Sequence, residues 1–187
     1  MRDELDRRLV SKYPEIFRDR YGSPLETLMC WGFECNDGWY GLIDSLCQRL
    51  TNKAYYARTR YENLIKWKQD GGTFPWKGGR EITDDDVAEY KAKMEAELAK
   101  IPVAVQVKEK FGTLRFYTGP ATDEHRIIID TYESLSSRVC EQCGSMDETV
   151  RTWPLGWHQT LCEQHACQNY SAQTVLEFYM REKDENA

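Results

Sequence analysis

Two pairs of thiol and imidazole side chains near the carboxyl end constrain the fold of this chain most strongly. Cys140 and Cys143 form a Cys-x2-Cys pair followed by Gly144, and after eighteen residues Cys162 and His165 form a Cys-x2-His pair. Proteins bind tetrahedral zinc with ligands of this number, type and spacing. A tight turn after the first pair favours a residue without Cβ, and Gly144 provides one. We therefore predict one structural Zn²⁺ ion held by these four side chains.

The segment between the two pairs predicts the fold around the ion. Residues 149–161 contain two short runs rich in Thr, Val and Trp on either side of a turn at 154–156, which indicates a β-hairpin. Cys162 then begins a helix that carries the last two ligands. Ligand pair, hairpin and helix in this order are the layout of a treble-clef zinc module. Cys167 and His158 are alternative ligands, but only the Cys-x2-His spacing places two ligands on one helical turn.

The rest of the chain predicts helices and a second hairpin. Apolar residues recur at helical spacing over residues 3–20 (interrupted near Pro14), 39–50, 53–69, 84–101, 123–137 and 162–181. Thr83 is expected to cap the fourth of these helices. Alternation over 103–118 predicts a β-hairpin with Val103, Val105 and Val107 on one face. The predicted fold class is α+β, predominantly helical, with two short β-hairpins and a C-terminal treble-clef-like zinc module.

The distribution of charge divides the chain further. Residues 53–80 contain seven basic and two acidic residues, and residues 81–99 contain two basic and seven acidic ones. Adjacent helices of opposite charge neutralise each other most simply as a hairpin. We predict a body over residues 1–121 with a helical-hairpin insertion at about 53–100. A zinc module over residues 122–187 packs on that body.

Composition excludes several classes of protein. The net charge of −6 argues against a protein that coats nucleic acid without specificity. Neither a membrane-spanning apolar run nor a secretory signal is present, which favours the reducing cytoplasm for the seven cysteines. Cys30, Cys35 and Cys47 match no common metal-site spacing and are predicted to be free thiols in the core.

Basic and aromatic side chains interleave in two places, over residues 53–80 and over residues 108–117. The pattern is typical of surfaces that hold phosphates and stack on bases, and also of protein interfaces. We expect a protein partner rather than a nucleic acid, because the net charge opposes phosphate binding. The candidate partner-binding residues are Arg58, Arg60, Tyr61, Lys66, Trp67, Trp76, Lys77, Lys108, Lys110 and Arg115.

Catalysis has two candidate sites. Glu34, Asp37 and Asp44 could form a carboxylate group for a hydrolase, although Asp37 is explained more simply as a helix cap and Asp44 as a polar-face residue. His158 could serve as the base of a metal-dependent nuclease built on a treble-clef scaffold. The signatures of a phosphate loop, a nucleophile elbow and a zinc peptidase are missing from the sequence. We therefore expect a binding protein, with a nucleic-acid-binding protein or a nuclease as the alternative.

Three stretches together resemble a known family. They are residues 32–39, residues 107–117 and the Cys-x2-Cys motif with residues 157–165. The combination is similar to an uncharacterised family of small proteins encoded by tailed bacteriophages and prophages, over residues 9–166. The resemblance implies a phage origin, a zinc site and the cytoplasm of a bacterial host, but no established activity. It also implies binding to a host or phage macromolecule, in a host-takeover or anti-defence role.

Overall fold

The computed structural model describes residues 1–76, 78–153 and 156–185. Lys77 of the candidate surface and two residues of the predicted turn, 154 and 155, lie outside the described residues. The helices are α1 (Asp3–Lys12), α2 (Tyr40–Asp70), α3 (Asp84–Leu98), α4 (Asp123–Leu135), α5 (Glu163–Asn169) and α6 (Ala172–Glu185). The strands are β1 (Phe33–Glu34), β2 (Ala104–Lys110), β3 (Thr113–Thr118), β4 (Arg151–Trp153) and β5 (Gln159–Leu161). The predicted α+β class, mostly helical with two hairpins, is confirmed.

The main core lies between a small sheet and the helices α1, α2 and α4. The sheet has the order β1-β2-β3, with β1 parallel and β3 antiparallel to β2. Its inner face, the turn before α2 and the first half of α2 contribute the buried residues Phe33, Val107, Leu114, Phe116, Trp39, Ile43 and Leu46. The free edge of β3 is covered by α4 and the turn after it, because Glu133 and Ser136 accept hydrogen bonds from its amides. No described helix combines the length and the apolar character needed to cross a bilayer.

The hairpin over 103–118 is confirmed, but its inner face differs from the prediction. Ala104 and Val107 are buried, whereas Val103 and Val105 are only half-buried. The pairing register shifts between Ala104 and Gln106, which indicates a bulge. A bulge reverses the alternation of side chains at one point of a strand, so the simple period of two failed here.

The predicted helices over 39–50 and 53–69 are a single helix of 31 residues, α2. Thr51 lies at the expected break, but it is buried and its hydroxyl donates to the carbonyl oxygen of Cys47 at 2.9 Å. That hydrogen bond satisfies the hydroxyl inside the helix, so the polar residue does not end it.

The second half of α2 forms a helical hairpin with α3. The predicted Thr83 cap is confirmed as a reciprocal capping box with Asp86. A small cluster of Leu64, Phe74 and Ile82 closes the loop end of this hairpin. No residue of α3 is buried, so α3 covers α2 only partly.

The predicted helix over 162–181 is interrupted, which corrects a further prediction. α5 ends at Asn169 and α6 begins at Ala172. Ser171 explains the break, because its hydroxyl accepts a hydrogen bond from the amide of Thr174 at 3.1 Å and so caps the start of α6.

Candidate metal centre and adjoining surface

The four predicted ligands meet at one point. Their ligand atoms all lie within 4.8 Å of one another, and we name Cys140, Cys143, Cys162 and His165 the Cys3His cluster. The Cys143 and Cys162 sulfurs are 3.9 Å apart, and the Cys140 sulfur is 3.6 Å from Nδ1 of His165. Tetrahedral zinc places two sulfurs about 3.8 Å apart, and a sulfur and a nitrogen about 3.6 Å apart. The cluster could therefore hold one metal ion, as the spacing predicted.

Local backbone geometry positions the ligands of each pair. Gly144 has φ +76° and its amide donates to the carbonyl oxygen of Cys140 at 2.8 Å, which closes the knuckle after the first pair. Cys162 lies at the N-cap of α5, so the first helical turn carries His165 towards the sulfurs. Sequence reasoning predicted both features.

The electrostatics of the cluster favour a bound cation. Burial opposes ionisation of the Cys140 thiol, but backbone amides of Cys162, Cys143 and Gln142 stabilise the thiolate and lower its pKa. Desolvation and the neighbouring sulfur of Cys140 raise the pKa of Cys143 to about 11. Adjacent thiolates repel each other, and a cation between them removes that repulsion.

The knuckle docks directly on the turn before α2. The Gly38 amide donates to the carbonyl oxygen of Glu141 at 2.8 Å, and the Asn36 amide donates to Oε1 of Glu141 at 3.0 Å. A Cβ at Gly38 would overlap the carbonyl oxygens of Cys140 and Glu141 and the amide nitrogen of Gly144. The Cys3His cluster is therefore joined to the body through backbone contact rather than through a linker.

The hairpin between the ligand pairs makes a second contact with the body. The hydroxyl of Thr160 in β5 donates to the carbonyl oxygen of Gly112, at the tip of the β2–β3 hairpin, at 2.6 Å. The indole of Trp157 donates to Oε2 of Glu109 at 3.0 Å. Thr152 approaches so closely that a Cβ at Gly112 would lie 2.6 Å from its methyl group. The two hairpin tips are thus held side by side.

A cleft of about 540 Å³ opens between these hairpin tips. We name it the hairpin cleft; its lining includes Lys108, Lys110, Phe111, Trp157 and His158. Phe111 is 66 % exposed and Trp157 is 71 % exposed. The rings of Phe111 and His158 meet edge to face at 6.3 Å. Trp157 was not among the predicted partner-binding residues, because only folding brings it beside Phe111.

The predicted partner-binding residues fall on two separate surfaces. Lys108 and Lys110 line the hairpin cleft, whereas Arg115 turns to the sheet edge, 3.9 Å from Glu133. The others that the structure describes lie on the helical hairpin or its loop: Arg58, Arg60, Tyr61, Lys66, Trp67 and Trp76. Among these, Arg58 already pairs with Glu15 of the body, and Trp67 packs edge to face on Trp76 at 4.7 Å.

The candidate catalytic carboxylates do not converge. Glu34 accepts a hydrogen bond from the Gln106 side chain at 2.8 Å, and Asp44 pairs with Lys12 at 2.7 Å. Asp37 is not a helix cap, which corrects that interpretation; it accepts the Arg2 backbone amide at 2.7 Å and pairs with the Arg2 side chain.

Three of the four cysteines outside the cluster lie in or beside the core, whereas the fourth, Cys167, is exposed. Cys35 and Cys47 are buried, and Cys30 is half-buried. Burial raises the pKa of Cys35 to about 12 and raises that of Cys47 well above its usual value. Both thiols therefore stay protonated and unreactive at neutral pH.

Comparison with known proteins assigns no relative to this chain. No family model matches it, and neither the curated proteins nor the solved structures contain a match.

Proposed function

We propose that this chain is a zinc-stabilised interaction protein that binds a protein partner in the hairpin cleft. The juxtaposition of two exposed aromatic side chains, Phe111 and Trp157, on hairpin tips held together by hydrogen bonds carries this proposal. Aromatic side chains beside cationic ones are the usual anchors of protein interfaces.

Zinc is the metal that the donor set of the Cys3His cluster supports best. Three thiolates and one imidazole are soft or borderline ligands, which disfavour magnesium and calcium. Four protein ligands fill a tetrahedral site and leave no position for a reacting water, so the proposed role of the ion is structural. Bound zinc would stabilise so small a module by about 10 kcal/mol.

The conformation of Phe111 supports a binding role for the cleft. Phe111 has φ +55° and Gly112 has φ +75°, as in the two-residue turns that favour Asn-Gly. A bulky residue in this conformation costs about 1 kcal/mol or more, and its exposed ring gains little from burial. Backbone preference does not explain Phe111, and its packing is limited to His158 and Lys110, whereas contact with a partner would explain it.

In this proposal the metal centre stabilises the hairpin cleft. Trp157 precedes β5 and the ligand Cys162 follows it directly. A bound ion would therefore fix the end of the strand whose other end leads from Trp157. Glu109 then orients Trp157 by accepting its indole N–H and supports the tip of the other hairpin through the Gly112 amide at 2.6 Å. Loss of the ion should therefore disturb the partner surface as well as the module.

The chemistry of the cleft favours a protein segment with an apolar or aromatic side chain and a nearby acidic group. The side chain would insert between Phe111 and Trp157, and the acid would meet Lys108 or Lys110. Glu34 and Glu109 also line the cleft, and the chain has a net charge of −6. Both facts argue against binding of a run of phosphates. The resemblance to phage proteins makes a bacterial host protein, in a host-takeover or anti-defence role, the first partner to seek.

A nuclease mechanism has less support. Both carboxylate oxygens of Glu109 are engaged in hydrogen bonds, and across the described residues potential metal ligands converge only in the Cys3His cluster. His158 contacts Phe111 in the cleft, where it can contribute to an interface.

Affinity capture from a bacterial lysate tests the proposal. The immobilised wild-type chain should retain one protein at stoichiometric level, and Trp157→Ala and Phe111→Asn should each reduce that retention about tenfold or more. Trp31→Ala is the matched control, because Trp31 is 68 % exposed but does not line the cleft. Its retention should equal that of the wild type.

Two results would reject the proposal. Equal retention by wild type and both cleft variants would remove the cleft from the interface. Retention that disappears after nuclease treatment and weakens steeply with salt would assign the surface to a nucleic acid instead.

A further inference from the structure

A second groove lies between α2 and α3, and it involves none of the residues of the metal centre or the hairpin cleft. It has a volume of about 360 Å³ and is lined chiefly by Lys53, Tyr56, Arg60, Tyr90, Lys93 and Glu97. We name it the helical groove. Its volume lies within the range of small-molecule sites.

The helical groove exists because the two helices cannot fill the space between them. Ala57 on α2 and Ala96 on α3 line the groove, and their methyl side chains are too short to fill the space between the helices. No residue of α3 is buried, although the same hairpin has a closed apolar cluster at its loop end. The gap therefore lies at the end of the hairpin away from its loop, between residues 53–60 of α2 and residues 90–97 of α3.

Arg60 gives the groove its chemistry. Its guanidinium carbon lies 5.7 Å from the ring centre of Tyr56 and 5.4 Å from that of Tyr90. One nitrogen donates to the Tyr90 hydroxyl at 3.3 Å. Over the described parts of the chain, no carboxylate forms an ion pair with Arg60. Two aromatic rings thus hold a planar cation whose other donors are available for an anion.

Two lysines, Lys53 and Lys93, add positive charge to the lining of the groove. Lys53 pairs with Glu124 and Lys93 pairs with Glu89, and both pairs are exposed. Exposed ion pairs contribute little free energy, so an incoming anion can compete with the carboxylates for the lysines. Glu97, the acid on the groove wall, is already paired with Lys100.

We infer that the helical groove binds a mononucleotide. The phosphate would meet Arg60 and Lys93, and the base would stack on Tyr56, whose side chain is 64 % exposed. A compact anion fits better than a polymer, because residues 81–99 contain seven acidic and two basic residues, and these would repel phosphates extending beyond the groove.

Calorimetric titration of the metal-loaded full chain with AMP tests this inference. AMP should bind at one site per chain. Inorganic phosphate and adenosine should each bind at least about tenfold more weakly than AMP. Arg60→Gln should weaken AMP binding about tenfold or more, because it removes the charge and keeps a polar side chain. Lys66→Gln is the matched control, since Lys66 is an exposed cation on the same helix outside the groove.

A second variant separates the two parts of the ligand. Tyr56→Ala should weaken AMP binding but leave the weak binding of phosphate unchanged. Circular dichroism and metal content should match the wild type for each variant. The inference is overturned if AMP does not saturate the wild-type chain at millimolar concentration, or if Lys66→Gln weakens binding as much as Arg60→Gln. Tighter binding of a single-stranded oligonucleotide than of AMP would overturn the compact-ligand assignment.

Discussion

Phe111, at the tip of the β2–β3 hairpin, has a backbone conformation that is unfavourable for a bulky side chain. Its φ of +55° suits Asn far better than Phe, and its ring is largely in water. We expect Phe111→Asn to raise the free energy of unfolding by a few tenths to about 1 kcal/mol while weakening partner binding. Urea denaturation of wild type and variant checks the first effect. A loss of more than about 1 kcal/mol would instead mean that the ring stabilises the fold through its contact with His158.

His125 is a residue whose burial makes stability depend on pH. Its Nδ1 is buried without a hydrogen-bond partner among the described residues, and burial lowers its pKa below the ordinary 6.5. The surrounding charges, Glu124, Glu97, Lys53 and Lys100, act in opposite directions and do not cancel the effect of burial. The unfolded chain therefore binds the proton more readily than the folded chain.

The sign of that effect gives a prediction. Stability that is present above pH 6.5 should be lost as the pH falls below 6.5, because protonation favours the unfolded state. His125→Gln should lose less free energy of unfolding than wild type between about pH 7.5 and about pH 5.5. Urea denaturation at both pH values measures the loss in each protein. Subtracting the two losses removes the pH dependence of the metal site, because both proteins share it. Identical losses in the two proteins would contradict the assignment.

Helices and strands followed from local sequence wherever the decisive interactions were local. The Thr83 cap and the start of α5 at Cys162 depend on residues within one helical turn, and both were predicted. α2 was divided wrongly, because the burial of Thr51 against the body outweighs the low helix propensity of the Thr-Asn pair. The bulge in β2 was missed for a similar reason, since pairing with β3 sets the register and no single strand shows it.

The Thr83 cap gives a test of the α3 helix alone. Thr83→Ala should destabilise the first turn of α3 by about 1 kcal/mol, because the amide of Asp86 loses its acceptor. Hydrogen exchange of the α3 amides should become faster while exchange in β2 stays unchanged. Thr59→Ala is the matched control, because Thr59 is an exposed residue inside α2 and Ala favours a helix interior. Faster exchange in both variants would show that the effect is not due to the cap.

At the scale of the whole molecule, the proposed zinc ion should hold the C-terminal third in place. Cys143 and Cys167 provide a matched pair, because both are exposed cysteines and only Cys143 belongs to the Cys3His cluster. Cys143→Ser should lose the bound metal or hold it far more weakly, and its unfolding temperature should fall. Cys167→Ser should keep one ion per chain and the wild-type unfolding temperature. Elemental analysis and thermal denaturation measure both. Metal content that depends on Cys167 would place the site elsewhere.

The ligands were predictable from sequence, but the way the centre joins the body was not. Ligand spacing is a local property, whereas the contact between Gly38 and the knuckle joins residues about one hundred positions apart. Phe111 and Trp157 likewise become neighbours only through the hydrogen bonds between two hairpins. A glycine or an aromatic residue in isolation has too many explanations to predict such a contact.

Gly38 allows the docking of the metal centre to be tested without changing any ligand. Its φ is not in the left-handed region, so Ala is compatible with the backbone, but an added Cβ would overlap three backbone atoms of the knuckle. Backbone atoms cannot move aside as a flexible side chain can, so Gly38→Ala should destabilise the protein by about 3 kcal/mol. Gly41→Ala is the control, because Gly41 lies in α2 with nothing within 4 Å of an added Cβ. It should leave stability unchanged or raise it by up to about 1 kcal/mol. Urea denaturation of the metal-loaded variants compares the two.

The hydrogen bond from the Trp39 indole to the carbonyl oxygen of Val139 gives a second readout. If Gly38→Ala retains the ion but loses this hydrogen bond, seen as a shifted indole N–H resonance, the knuckle has folded without docking. Equal stability of the two variants would show that the knuckle does not rest on the turn before α2.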